Sequence, residues 1–90
     1  TIPAEFKLFQ NYSNPFNGIT HIKYRVEHDG FVSLCVFDVL GRQLATLVSA
    51  AKQRGTHTAE FDANSLPSGV YFCRLQVKNA TSTIRMALVK

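Results

Sequence analysis

Short runs in which apolar and polar residues alternate, separated by clusters of turn-forming residues, dominate this sequence. A period of two places successive side chains on opposite faces of an extended strand. Residues 44–51 could also suit a helix, but Thr46 and Val48 favour a strand there. The pattern predicts seven short strands with a turn about every ten residues. The predicted strands cover residues 6–9, 20–26, 31–38, 43–48, 56–62, 70–77 and 83–89.

The alternation also predicts which side chains face inward. The residues expected on the inner faces are Ile22, Tyr24, Val26, Val32, Leu34, Val36, Ala59, Phe61, Ile84, Met86 and Leu88. The stretch 70–77 is apolar on both faces, which is typical of a central strand. Together these features predict an all-β fold, a seven-stranded immunoglobulin-like β-sandwich. A five-stranded OB barrel is the alternative, and it would leave two strands without a place.

One tyrosine supports the sandwich. Tyr71 opens the sixth predicted strand, just after the corner at 66–69. Immunoglobulin-like folds often place there a tyrosine whose hydroxyl bonds back to the preceding backbone. We therefore expect the Tyr71 hydroxyl to bond near Leu66, although simple packing in the core would explain the residue equally well.

Composition limits the possible functions. The chain has 90 residues, 46% of them hydrophobic and 18% charged, which suits one globular domain over 1–90. No apolar stretch is long enough for a membrane helix, so no integral membrane segment is predicted. The net charge of +4 could favour an anionic surface, but it is also what solubility alone requires, which is the preferred interpretation. Absent tryptophan counts against a sugar-binding module.

A nucleic-acid partner is not predicted. The outward face of the second strand carries a basic stripe, His21, Lys23 and Arg25, but no aromatic residue is interleaved with it to stack on bases. Glu60 and Glu5 are candidate cross-strand partners that would neutralise the stripe.

No residue pattern predicts catalysis, a metal or a cofactor. The six acidic residues are scattered over strand ends and outward faces, and the three histidines lack ligand spacing. Cys35 and Cys73 have neither zinc nor redox spacing. The alternation puts them on different faces, which favours two free thiols over a disulfide, the alternative.

A set of motifs in a fixed order is more specific than any one of them. In order they are FKLFQNYSNPFN at 6–17, IKY at 22–24, VFDVLGR at 36–42, LV at 47–48, GTH at 55–57, FD at 61–62, LPSGVYFCRL at 66–75 and MALVK at 86–90. This order resembles the type A C-terminal sorting domain of the type IX secretion system, over essentially the whole chain.

The resemblance implies a non-catalytic domain at the end of a larger exported protein. Such domains are recognised in the periplasm by the outer-membrane translocon and its shuttle proteins. A sortase-like peptidase commonly removes them at the cell surface. The implied partners are these proteins and the upstream cargo domains, with no cofactor and no nucleic acid. Since the chain does not begin with Met, we expect a fragment preceded by a linker, with Lys90 as its natural end.

The family's sorting-motif residues map onto this sequence by position. They are Asn14, Pro15, Phe16, Asn17, Gly41, Arg42, Gly69, Tyr71 and Lys90. Ser13 and Gly18 stand where the family usually has proline, and the two cysteines are not family features. On the residues alone, the prolines and glycines suit the turns of any sandwich and Phe16 suits a core plug, so most of the motif is expected to hold the fold.

Recognition by the last strand is a further hypothesis. A partner protein can recognise an edge strand by pairing a strand of its own with it. The residues expected to be recognised are Ile84, Arg85, Met86, Leu88 and Lys90. Two functions from other classes stay open at this point: an immunoglobulin-like structural module of a flagellar hook-capping protein, whose motifs are similar, and an accessory surface- or carbohydrate-binding module of an extracellular enzyme.

Overall fold

Seven strands account for most of the chain. The structure is a computed structural model and describes residues 6–90, whose strands are β1 (Phe6–Leu8), β2 (Ile19–Val26), β3 (Gly30–Phe37), β4 (Gln43–Lys52), β5 (Gly55–Asp62), β6 (Gly69–Val77) and β7 (Ala80–Leu88). They form two antiparallel sheets, one in the order β1-β2-β5 and the other in the order β4-β3-β6-β7. The predicted all-β sandwich is confirmed, and its immunoglobulin-like character stays a prediction. None of the described residues forms a helix that could cross a bilayer.

The core lies between the two sheets and contains the residues that the alternation predicted to face inward, joined by others such as Leu8, Ala63 and Leu75. β2 buries every second side chain, including Ile22 and Tyr24, and β3 buries Val32, Leu34 and Val36 together with the intervening Cys35. Ala59 and Ile84 are only partly buried and pack against the same cluster. Complete burial of each aliphatic side chain is worth about 1.5–3 kcal/mol, so these positions supply most of the driving force for folding. β6 lies between β3 and β7, which confirms its prediction as a central strand.

Two strands begin or end three or more residues beyond the bounds that their sequence patterns predicted. Residues 49–52, expected in a connecting loop, extend β4 and pair with the start of β3, Ser49 opposite Ser33 and Ala51 opposite Phe31. β7 begins at Ala80 rather than at 83, because a two-residue turn at Lys78 and Asn79 joins it to β6. Backbone hydrogen bonds to the neighbouring strand keep both extensions in place. Such bonds form whether or not apolar and polar side chains alternate.

Candidate functional site

Three loops and the end of the chain meet at one end of the sandwich. Antiparallel pairing brings the last residues of β3 and β7 beside the first residues of β6, and it pairs the start of β2 with the end of β5. We call this end, formed by residues 9–18, 38–42, 63–69 and 89–90, the motif end. All but one of the predicted sorting-motif residues lie on the motif end: Asn14, Pro15, Phe16, Asn17, Gly41, Arg42, Gly69 and Lys90. Tyr71, the third residue of β6, lies next to it.

The loop after β1 runs along the outer edge of β7. The Phe16 N–H donates to the Ala87 carbonyl and the Val89 N–H donates to the Phe16 carbonyl, each at 2.9 Å. The Ala87 N–H also donates to Asn14 Oδ1 at 3.0 Å. These bonds satisfy backbone groups that an edge strand would otherwise expose. Asn14 and Phe16 therefore attach the loop to the end of the chain.

The loop accordingly covers part of the edge of the predicted recognition strand. Gln10 Nε2 donates to the Arg85 carbonyl at 2.7 Å, so the chain's own loop covers the edge from Arg85 to Val89. Met86 and Leu88 are buried in the core and Ile84 is half-buried. Within residues 6–90, the hydrogen bonds from this loop begin at Arg85 and do not reach residues 80–84, and β1 also contacts β7.

Phe16 is a core residue, as its predicted role as a plug requires. Its side chain is 2% exposed, and its ring centroid lies 6.2 Å from that of Phe61 in a tilted arrangement. Pro15 and Asn17 on either side are exposed. The loop therefore turns a single aromatic side chain into the core while its flanking residues stay in solvent.

Two buried polar residues, Asn11 and Thr20, shape the same loop, and the sequence pattern did not predict their burial. Asn11 Nδ2 donates to the Ser13 carbonyl at 2.9 Å and to Thr20 Oγ1 at 3.0 Å, and the Thr20 hydroxyl donates to the same carbonyl at 3.0 Å. Both side chains are buried and fully partnered. The available signal was the phase of the alternation, which places Thr20 inward with Ile22.

The turn between β3 and β4 is held by one carboxylate. Asp38 Oδ1 accepts from the N–H groups of Leu40 and Arg42 at 2.9 and 3.0 Å, and Asp38 Oδ2 accepts from Arg42 Nε at 2.7 Å. The Arg42 N–H, more than the guanidinium, holds the pKa of the Asp38 carboxyl below its usual value. Gly41 has a φ of +82°, a conformation that glycine adopts without steric cost. Arg42 therefore stabilises the turn of which it is a part.

Tyr71 and Lys90 fasten the loop between β5 and β6. The Tyr71 hydroxyl donates to the Pro67 carbonyl at 2.6 Å, which confirms the predicted bond back to the corner, one residue beyond Leu66. The Lys90 N–H donates to Ser68 Oγ at 2.9 Å, and Lys90 Nζ donates to the Asn64 carbonyl at 2.6 Å. The last residue of the chain is thus held on this loop.

Replacing Tyr71 by phenylalanine should lower the free energy of unfolding by about 1–1.5 kcal/mol, because the Pro67 carbonyl loses its partner while the ring stays in place. Denaturant unfolding followed by circular dichroism measures the change. Tyr12→Phe removes the same hydroxyl from an exposed side chain and should change the stability by less than about 0.5 kcal/mol. Equal effects of the two substitutions would contradict the role given to the Tyr71 bond.

A cleft with an apolar rim opens beside these residues. It has a volume of about 300 Å³ and lies between the β3–β4 turn and the corner at 66–71. Val39 and Leu40, at 67% and 74% exposed, stand on its rim beside the partly exposed Leu44. Adjacent exposed apolar side chains around a concave surface are typical of a binding site.

The outer face of the three-stranded sheet differs from its prediction in one respect. Glu60 lies 3.4 Å from His21 Nε2, the predicted cross-strand partner, whereas Glu5 lies outside the described residues. The prediction that no aromatic residue accompanies the basic stripe is wrong, because Lys23 Nζ lies 4.9 Å from the centroid of the Phe9 ring. Phe9 follows β1 and reaches β2 only through the sheet pairing, which a reading of β2 alone does not reveal.

Both cysteines are free thiols, as the alternation predicted. Val36, rather than Cys35, pairs with Cys73 across β3 and β6, so the two thiols lie on different faces of the sheet. Burial, with a smaller contribution from Cys35, raises the pKa of the Cys73 thiol to about 12. Among residues 6–90, no group of three or more histidine, cysteine, aspartate or glutamate side chains is placed to hold a metal ion.

The fold and the motif end define a class of protein: a small β-sandwich whose loops and final residues are fastened together at one end, beside an apolar-rimmed cleft. The chain belongs to the family of secretion system C-terminal sorting domains, whose model matches residues 10–90. The resemblance to the type IX sorting domain is thereby confirmed, and the chain is a sorting signal of an exported protein that is displayed at the cell surface or secreted. The family is typically non-catalytic. No curated protein matches the chain significantly.

Proposed function

We propose that this domain directs a cargo joined to its N-terminal side through the type IX translocon, and that the translocon and its shuttle proteins bind the motif end during passage through the periplasm. A sortase-like peptidase then removes the domain at the cell surface. The observation that supports this proposal is the convergence of the whole sorting motif on one end of the sandwich. Family membership favours it over a flagellar hook-capping module and over an accessory sugar-binding module.

Several motif residues fix the shape of the motif end, while other residues supply its exposed apolar side chains. Phe16 and Tyr71 are buried, while Arg42 and Lys90 are tied to groups of their own chain. Held in this way, the rim of the cleft presents Val39 and Leu40 to solvent. A rigidly positioned pair of apolar side chains loses little entropy on binding, which suits an anchor for a protein partner.

Replacing Val39 and Leu40 together by serine tests the proposal. Residues 1–90 are fused behind an exported fluorescent protein in a strain with a type IX system, and fluorescence in the medium and on the cell surface is compared with that in the periplasm. Loss of two apolar anchors should reduce secretion about tenfold or more, since each is worth roughly 1–2 kcal/mol. The thermal midpoint of the purified domain should stay within a few degrees because both side chains are exposed.

Two further fusions complete the experiment. Phe31→Ser replaces an apolar side chain that is 60% exposed at the other end of the sandwich, and its fusion should be secreted normally. Thr83→Pro changes the part of the β7 edge that the loop does not bond, where proline is tolerated but cannot donate to an added strand. Normal secretion of this fusion is expected. Retention of Thr83→Pro together with normal secretion of the serine pair would transfer recognition to β7, and retention of the unchanged fusion would refute the sorting function itself.

A further inference from the structure

A groove lies on the outer face of the β1-β2-β5 sheet, beside the first residues of the loop that leads into the motif end. It has a volume of about 530 Å³ and is lined by Phe9, Gln10, Tyr12, His21, Lys23 and Thr58. The groove forms because the chain bends away from β1 after Phe9 and returns to pair at Tyr12 with His21. The bend leaves two aromatic side chains on the solvent side of the sheet.

Two ammonium groups lie over the same ring. Lys7 and Phe9 share the outer face because they are two residues apart, and the Phe9 N–H donates to the Lys23 carbonyl at 3.0 Å, which brings the lysine beside the ring. Lys7 Nζ lies 5.0 Å and Lys23 Nζ 4.9 Å from the ring centroid. Both are cation–π contacts.

Neither lysine takes part in an ion pair among residues 6–90. The ion pairs on this face are those of His21 with Glu60 and of Arg25 with Glu27. Two like charges that share one ring repel each other, and an anion between them would relieve the repulsion. The arrangement is therefore complementary to a single negatively charged group.

Tyr12 supplies a second aromatic surface. Its backbone is fixed by two hydrogen bonds to His21, each 2.9 Å, while its side chain is 81% exposed. A tyrosine on a fixed backbone offers a large contact area and a polar hydroxyl at a small cost in conformational entropy. Thr58 and His21 add side chains able to hydrogen-bond with hydroxyl groups along the groove.

We propose that this groove binds an acidic saccharide, with the sugar ring against Tyr12 and Phe9 and its carboxylate or sulfate between Lys7 and Lys23. A single-stranded nucleic acid fits less well, because a nucleic-acid groove needs cations that follow several successive phosphates. Here Arg25 is paired with Glu27, and Glu60 stands on the same face. None of the nine residues assigned to the sorting motif lines the groove, although Phe9, Gln10 and Tyr12 lie in the 6–17 segment that carries the family resemblance.

Isothermal titration calorimetry on the 90-residue chain tests the proposal with four oligomers of equal length: hexagalacturonate, a heparin hexasaccharide, neutral cellohexaose and hexathymidylate. Saturable binding of at least one acidic saccharide is expected, without measurable binding of cellohexaose. The carboxylate and sulfate probes distinguish the two forms of the acidic group. Binding of hexathymidylate as tight as that of both saccharides, binding of cellohexaose as tight, or no saccharide binding would overturn the proposal.

Substitutions locate the binding. Lys7→Gln combined with Lys23→Gln, and separately Tyr12→Ala, should each weaken saccharide binding by about tenfold or more. Lys52→Gln combined with Lys78→Gln makes the same change in net charge at the other end of the sandwich and should leave the affinity within about twofold. Equal loss in the two lysine pairs would show attraction to overall charge only and would refute the site. Unchanged circular dichroism melting curves establish that each variant is folded.

Discussion

Replacing Phe16 by alanine is expected to lower the free energy of unfolding by about 3–5 kcal/mol. The side chain is almost fully buried, and its ring contacts that of Phe61 on β5. Its removal leaves a cavity at the place where the loop after β1 covers the edge of β7. A small domain has a total stability of about 5–15 kcal/mol, so this single change removes a large share of it.

The backbone makes the position more sensitive than burial alone indicates. The Phe16 N–H and carbonyl bond to Ala87 and Val89, so a loop that no longer docks its ring also holds the end of β7 less firmly. Urea unfolding followed by circular dichroism measures the loss of stability. Hydrogen exchange at the Val89 amide should quicken more than exchange at the centre of β6.

Phe31→Ala is the matched control because it removes the same side chain from an exposed position on β3. Its cost should be below about 1 kcal/mol. A Phe16→Ala domain as stable as Phe31→Ala would show that the loop is not anchored through its ring. That result would also contradict the interpretation of Phe16 as a motif residue that holds the fold.

The fold was largely predictable because its cause is local. In β2, side chains alternate strictly between water and the core, so the sequence itself carries the orientation of Ile22 and Tyr24. The last residues of β4 could not be predicted in this way. They lie at the edge of a sheet, where Ser49 and Ala51 bury little apolar surface and backbone pairing with β3 keeps them extended.

The sequence predicted which residues belong to the candidate site but not how those residues contact one another. Motif residues could be named from their order in the chain, but their contacts join segments far apart in sequence, such as Asn14 with Ala87 and Lys90 with Asn64. Those contacts depend on which strands become neighbours, and local alternation does not determine that order. The same limit hid the position of Phe9 beside Lys23.

Alkaline conditions should destabilise the domain through one thiol. Burial raises the pKa of Cys73 from the ordinary 9.0 to about 12, with a smaller contribution from Cys35. Between these values the unfolded chain carries a thiolate, while the folded domain keeps the proton. The unfolded state then binds fewer protons than the native state, so stability falls as the pH rises. The contribution of the thiol is fully present below pH 9 and is lost progressively as the pH approaches 12.

Comparison with Cys73→Ala isolates this effect, since all other alkaline titrations are shared and the constant cost of the cavity cancels between pH values. From pH 8 to pH 11 the unchanged domain should lose about 3 kcal/mol more than the variant, because the pH then lies about two units above the unfolded-state pKa. Urea titrations at the two pH values measure the difference. Cys35→Ala keeps the buried thiol and should retain most of the extra loss. Parallel losses in the unchanged domain and in Cys73→Ala would mean that Cys73 is hydrated in the folded state, and that the core around this residue of β6 is less tightly packed than its complete burial indicates.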